Sequence, residues 1–140
     1  MKRKITSEQL NELTDEQKQK LKKWWKPKYG DFAMDFRGIE IIMKPFIANF
    51  YFDLYGKEGV QKFTDTVLPL LSVSQMIELF ESKDYFFSIS KEIACDDLGC
   101  LNWGWLIEIN TKESPHQIEY MEFSTDGLAD CLWKAVKTIL

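Results

Sequence analysis

Apolar positions recur along this chain with two different periods. In residues 1–28 the spacing is helical: Leu10, Leu13, Leu21 and Trp24 or Trp25 form one stripe, and Lys18, Lys20, Lys22 and Lys23 cover the rest. Ser7 is placed to cap a short first turn. Thr14-Asp15-Glu16-Gln17 has the capping-box form, in which the threonine and the glutamine three residues later satisfy each other's backbone N–H. Pro27 ends this helix and Gly30 turns the chain. From residue 31 the period falls to two. Phe32, Met34 and Phe36 alternate with Ala33 and Asp35, Arg37-Gly38 marks a turn, and Ile39–Met43 reads as the partner strand. Pro45 breaks that run. The aromatic segment Phe46–Tyr55, with Phe50, Tyr51 and Phe52, predicts a third strand, since aromatic side chains favour pleated surfaces. Gly56 and Gly59 predict a loop, and Lys57–Val67 a short helix.

Helical spacing returns after Leu68-Pro69-Leu70-Leu71. Ser72-Val73-Ser74-Gln75 is a second capping box, and Val73, Met76, Ile77 and Phe80 share a face over Val73–Ser82. Asp84–Ile93 and Trp103–Asn110 read as a hairpin around Asp96-Asp97-Leu98-Gly99. Residues 111–117 form a turn, and Ile118–Phe123 an edge strand. A closing helix, capped by Ser124 or Thr125, puts Leu128, Cys131, Leu132, Ala135, Val136 and Ile139 on a buried stripe. The expectation is one α+β domain over residues 1–140. It comprises a basic helical segment (1–28), a strand-rich body (31–123) with a central helix (73–82), and a C-terminal helix (125–140). The three helices would pack on a mainly antiparallel sheet of about 4–6 strands.

Composition narrows the class. At 140 residues, 45% hydrophobic and 29% charged, the chain has ordinary globular usage. No run approaches the ~20 apolar residues that span a bilayer, and Ile5-Thr6-Ser7-Glu8-Gln9 stands where a signal peptide would be apolar, so a cytoplasmic location is expected. Three cysteines then read as reduced thiols, with Cys131 buried. Cys95 and Cys100, with His116 and Cys131, would make a poor zinc site, because the spacing is marginal and the second ligand pair is unmotivated. The net charge of −4 conceals an asymmetry. Residues 1–28 hold nine Lys/Arg against four Asp/Glu, and residues 29–140 nine against eighteen.

Three blocks carry a resemblance. They are Leu13-Thr14-Asp15-Glu16-Gln17-Lys18 through Trp24-Trp25-Lys26-Pro27 to Gly30-Asp31, then Leu68–Glu78, then Leu128–Lys137. Together they cover about a third of the chain, and their arrangement resembles a family of small phage and prophage accessory proteins of Firmicutes. The resemblance implies a phage accessory gene acting in a host cell and assigns no catalytic residues. Class-level analogy adds action against host defence, by blocking a defence protein or by sequestering a nucleotide signal.

The residues themselves favour binding over catalysis, with no cofactor called for. His116 is the sole histidine and sits in a turn, and no nucleophile elbow, P-loop or dinucleotide fingerprint is present. An alternative is a divalent-metal-dependent nuclease using Asp96, Asp97, Glu108 and Lys112, with Asn110 where such enzymes place their lysine. The candidate binding residues are Trp24, Trp25, Lys26, Lys28 and Tyr29, where cations lie beside aromatic rings, with Trp103 and Trp105 as walls of a pocket. Both tryptophan pairs have a core reading as well. The acidic remainder disfavours duplex nucleic acid. It leaves a small anionic nucleotide or a host defence protein as partner, with self-association into a homo-oligomer open.

Overall fold

The computed structural model describes residues 3–95, 99, 101–111, 118–124 and 127–140. They form two compact units, one of residues Thr6–Leu71 and one of Met1–Ile5 with Ser72–Leu140. The α+β class expected from the sequence holds, with the described strands divided between two three-stranded antiparallel sheets.

The unit Thr6–Leu71 begins with α1 (Ser7–Leu10) and α2 (Asp15–Trp24). Thr6, one residue before the expected Ser7, caps α1. Its Oγ1 accepts from Gln9 N–H (3.2 Å), and Gln9 Oε1 accepts from Thr6 N–H (3.0 Å). Thr14 and Gln17 close the box on α2 as expected. A hairpin follows, β1 (Phe32–Met34) and β2 (Glu40–Ile42), with Phe32 opposite Ile42 and Met34 opposite Glu40. Next come α3 (Ile47–Thr66) and β3 (Leu68–Pro69), which pairs on the far side of β1 to give the order β2-β1-β3. Pro69 is accommodated because β3 is an edge.

The segment Phe46–Tyr55 departs from expectation: it is helix, not strand. Its register puts Ile47, Tyr51 and Tyr55 on successive turns, and Tyr51 is fully buried, stacked on Phe63 with ring centroids 4.2 Å apart. That contact outweighs the strand preference of the aromatics, which reflects surroundings more than backbone. Gly56 (φ 69°, ψ −160°) kinks α3 rather than opening a loop, in a conformation that side chains disfavour. Of the stretch expected to be helical, Lys57–Val67, all but Val67 is helix, and Val67 is the C-cap. The core of this unit joins Trp25, Ala33, Tyr51, Phe63 and Val67, with Trp24, Phe36, Ile41 and Met43 packed against it.

The second unit contains α4 (Val73–Ser82), β4 (Tyr85–Cys95), β5 (Leu101–Thr111), β6 (Ile118–Ser124) and α5 (Leu128–Ile139), the strands in that order in one sheet. Ser72 caps α4 through the expected box. Met76, Leu79 and Phe80 of α4 are buried, as are Ile107 and Ile109 of β5 and Cys131, Leu132, Trp133, Ala135 and Val136 of α5. Gly127 is the N-cap of α5, without a side-chain cap. Ser124, one of the two caps expected, ends β6, and Thr125 lies outside the described residues. Residues 3–5 join this unit through a bridge between Lys4 and Ser72.

The kink leaves no space beside Gly59, where an added Cβ would collide with Tyr55 Cβ. Gly59→Ala is expected to lower stability by about 1–3 kcal/mol through overpacking. Exposed Lys57→Ala, on the same helix, should leave the denaturation midpoint unchanged; equal midpoints for both variants would contradict the packing described.

Candidate functional site

The hairpin turn is organised by a carboxylate that has no contact with water. Asp35 follows β1 and is 2% exposed. Its Oδ1 accepts from the backbone N–H of Arg37 (2.9 Å) and of Ile39 (3.2 Å). Its Oδ2 accepts from Arg37 Nε (2.9 Å) and Nη2 (2.6 Å) and from the Tyr51 hydroxyl (2.9 Å). A buried charge is tolerated when it is paired and hydrogen-bonded in this way. Burial by itself raises the Asp35 carboxyl. The opposing hydrogen bonds from Arg37, Tyr51 and the backbone prevail, and its pKa lies below the ordinary value. The bond to Asp35 raises the Arg37 guanidinium further. Tyr51 is pushed up to about 12, first by burial and then by its bond to Asp35.

This cluster ties the turn to the first half of α3 and shapes what lies between them. A half-open cavity of about 610 Å³ is lined by Phe32, Ile41, Ile42, Phe46, Phe50 and Tyr51, with Arg37, Glu40 and Lys44 also lining it. That size falls within the range of ligand sites, about 300–1,000 Å³. Its cationic character is small. Arg37 is neutralised by Asp35 and lies over the rings of Phe50 (5.6 Å) and Tyr51 (5.7 Å), while Glu40 balances Lys44.

Phe46, the N-cap of α3, has φ 64° and ψ 19° and is 82% exposed. A left-handed backbone is unfavourable for a bulky aromatic residue, by about 1–2 kcal/mol. Of the nine large hydrophobic residues that stand exposed among the described residues, eight fall between Tyr29 and Tyr55. Three of them, Ile42, Phe46 and Phe50, line this cavity.

The residues singled out from the sequence are placed differently from these. Trp25 is core: its indole Nε1–H donates to Asp31 Oδ2 (3.0 Å), which also accepts from the Lys28 backbone N–H (3.0 Å). Gly30 N–H donates to Met43 O (2.8 Å), so the Trp-Trp-x-Pro-x-x-Gly-Asp element latches the end of α2 to the hairpin. Trp24 is partly buried against the same core, whereas Lys26, Lys28 and Tyr29 are exposed. Trp103 and Trp105 belong to β5 in the other unit. Trp105 is partly buried, with Lys91 Nζ 5.7 Å from its ring and its carbonyl accepting from Cys131 Sγ at 3.5 Å. Of the nuclease candidates, Glu108 is partly buried on β5, and Asp96, Asp97 and Lys112 lie outside the described residues, as do Cys100 and His116. Among the described residues no cluster of three or more His, Cys, Asp or Glu could hold a metal ion, and no helix is long and apolar enough to cross a membrane.

Asp35, Arg37, Phe46 and Phe50 stand in the sequence only as strand, turn and aromatic positions, not as candidate site residues. The available signal was the excess of apolar residues in 46–55 over what one buried helical stripe can cover.

The Tyr51 shift, from an ordinary 10.0 to about 12, fixes a sign. The folded state holds this proton more tightly, so the contribution is complete below pH 10 and is lost as pH rises towards 12, by about 2–3 kcal/mol. Chemical denaturation followed from pH 8 to 12 should show this alkaline loss in the native chain. Tyr51→Phe should be about 1–3 kcal/mol less stable at neutral pH and lack that part of the alkaline slope. An identical slope in both would place the titration elsewhere.

No family model matches the chain, and neither the curated proteins nor the solved structures yield a match.

Proposed function

We propose that this protein is a non-enzymatic binding protein of phage accessory type, which counteracts host defence by occupying a host defence protein through the aromatic face of its hairpin and α3. The observation that carries this reading is that exposed Ile42, Phe46 and Phe50 line one cavity between the hairpin and the first half of α3. Apolar anchors beside a concave site are what a protein interface uses at its centre. The sequence blocks that resemble phage accessory proteins supply the biological setting.

Charge favours a protein over a small anionic nucleotide. Arg37 is committed to Asp35, and residues 6–71 as a whole carry ten Lys/Arg and ten Asp/Glu. A phosphorylated ligand would find aromatic walls there but little positive potential.

The test is rescue of phage growth. Cells carrying a defence system, and expressing this chain, are plated with a phage that the system excludes. The native chain should restore plaques, and Phe46→Glu, at equal expression, should not. Rescue by Phe46→Glu equal to that by the native chain would overturn the assignment of the face, and absence of rescue across a panel of defence systems would count against counter-defence. In parallel, the melting temperature should not move with cyclic or linear nucleotides, since a ligand specific to the folded state must raise it. A rise with a nucleotide would replace protein blocking by nucleotide sequestration.

A further inference from the structure

We infer that Lys22 is a covalent binding site for a small apolar aldehyde, held as an imine on Nζ with its apolar group in the cavity beside α2.

This second cavity is half-open, about 310 Å³ in volume, and lies within the unit Thr6–Leu71. Trp25, Pro27, Met43, Phe63 and Val67 make its apolar wall, and Lys22 and Thr64 its polar part. It shares no lining residue with the aromatic cavity of the hairpin and α3. Trp25, Phe63 and Val67 belong to the core of the unit, and Asp31 fixes the Trp25 indole, so the wall is formed before any ligand arrives. The volume stands at the lower end of the range for ligand sites, about 300–1,000 Å³, and suits one ring or a short chain. Of the lysines on α2, Lys22 alone lines this cavity. An apolar wall beside one amine selects a ligand that is apolar at one end and reacts with an amine at the other.

The end of α3 positions that amine. Thr64 O belongs to the last turn, whose carbonyls lack donors within the helix, and Lys22 Nζ donates to it at 2.6 Å. A neutral amine has two N–H groups and a lone pair, so one N–H holds this bond while the lone pair meets a carbonyl carbon. Burial disfavours the ammonium form of Lys22 more than the charge of Asp65 restores it, which brings the nucleophilic form closer than in an ordinary lysine. In the reaction the aldehyde C=O is replaced by C=N. The two amine hydrogens leave with the carbonyl oxygen as one water, and no oxidant or reductant is consumed. Lys22 also lines a polar cavity of about 410 Å³, with Asp15, Lys18 and Asp65, which opens the nitrogen to solvent. Protonation of the imine from that side restores one N–H for Thr64 O. The resulting cation is favoured by Asp65 and by the negative end of α3.

The experiment is reductive trapping on the full chain at neutral pH. Benzaldehyde is added with cyanoborohydride, and the labelled lysines are located and timed by peptide mass. Lys22 should be labelled severalfold faster than Lys18, Lys20 and Lys23. Glyoxylate, an aldehyde with a carboxylate in place of the ring, should show no such preference. Lys22→Arg keeps a donor for Thr64 O, so it should melt as the native chain does and lose the fast site, while the other lysines react as before. Even labelling by benzaldehyde, or slower labelling of Lys22 than of its neighbours, would overturn the inference. So would an equal preference for Lys22 with both aldehydes, since the cavity would then have no part in it. The comparison of the two aldehydes is made on the native chain and decides the matter however the variant folds.

Discussion

A carboxylate sealed from water must be met by donors, and in this chain that requirement falls on Asp35. Five hydrogen bonds converge on it, three from the turn's own backbone and guanidinium framework and one from a phenol sixteen residues away, with Ile39 completing the set. The local bonds fix the hairpin turn. The bond to Tyr51 is the long-range one, and together with the stack on Phe63 it seats the first half of α3 against the sheet. Removing one partner of such a cluster strands the rest, which makes it a strong constraint irrespective of its net contribution to stability. With Tyr51 turned inward, Phe50 and Phe46 are left on the outside, so the burial of one aromatic residue accounts for the exposure of its neighbours.

The fold also redistributes the charges. In the sequence, five surplus positive charges at the N-terminus and nine surplus negative charges after it suggest a basic helix attached to an acidic body. In the fold, the division runs elsewhere. Residues 6–71 carry ten charges of each sign, and the remainder carries eight positive and twelve negative. The lysines of α2 are partly engaged at home: Lys20 pairs with Glu16 at 3.1 Å, and Lys22 donates to Thr64 O at 2.6 Å. Burial lowers the Lys22 ammonium, against the pull of Asp65. The charges of residues 6–71 balance as a whole, and the exposed apolar residues of 29–55 are the other feature of that unit's surface.

Much of the fold was legible because its signals are local. Thr14-x-x-Gln17 and Ser72-x-x-Gln75 specify helix starts by chemistry that needs no tertiary partner, and the alternation in 32–36 specifies a strand in the same way. Phe46–Tyr55 was misread because strand preference of aromatics is a statement about surroundings, and the surroundings of Tyr51 are Asp35 and Phe63, distant in sequence. Asp35 itself was hidden by alternation, which places a polar residue between Met34 and Phe36 where solvent is the default expectation. The Trp-Trp-x-Pro-x-x-Gly-Asp block was conspicuous for a structural reason: Asp31 holds the Trp25 indole and the turn after α2. Its distinctiveness marked a latch, while the candidate face lay in a stretch with no motif.

The measurement that bears most directly on this account is residue-resolved amide hydrogen exchange of the native chain and of Asp35→Asn, a near-isosteric change that removes the charge holding Arg37. If the carboxylate links hairpin to helix, protection should fall in residues 36–55 and persist in the second half of α3 and in residues 72–140. Unchanged protection over 36–55, or a uniform loss throughout the chain, would contradict it.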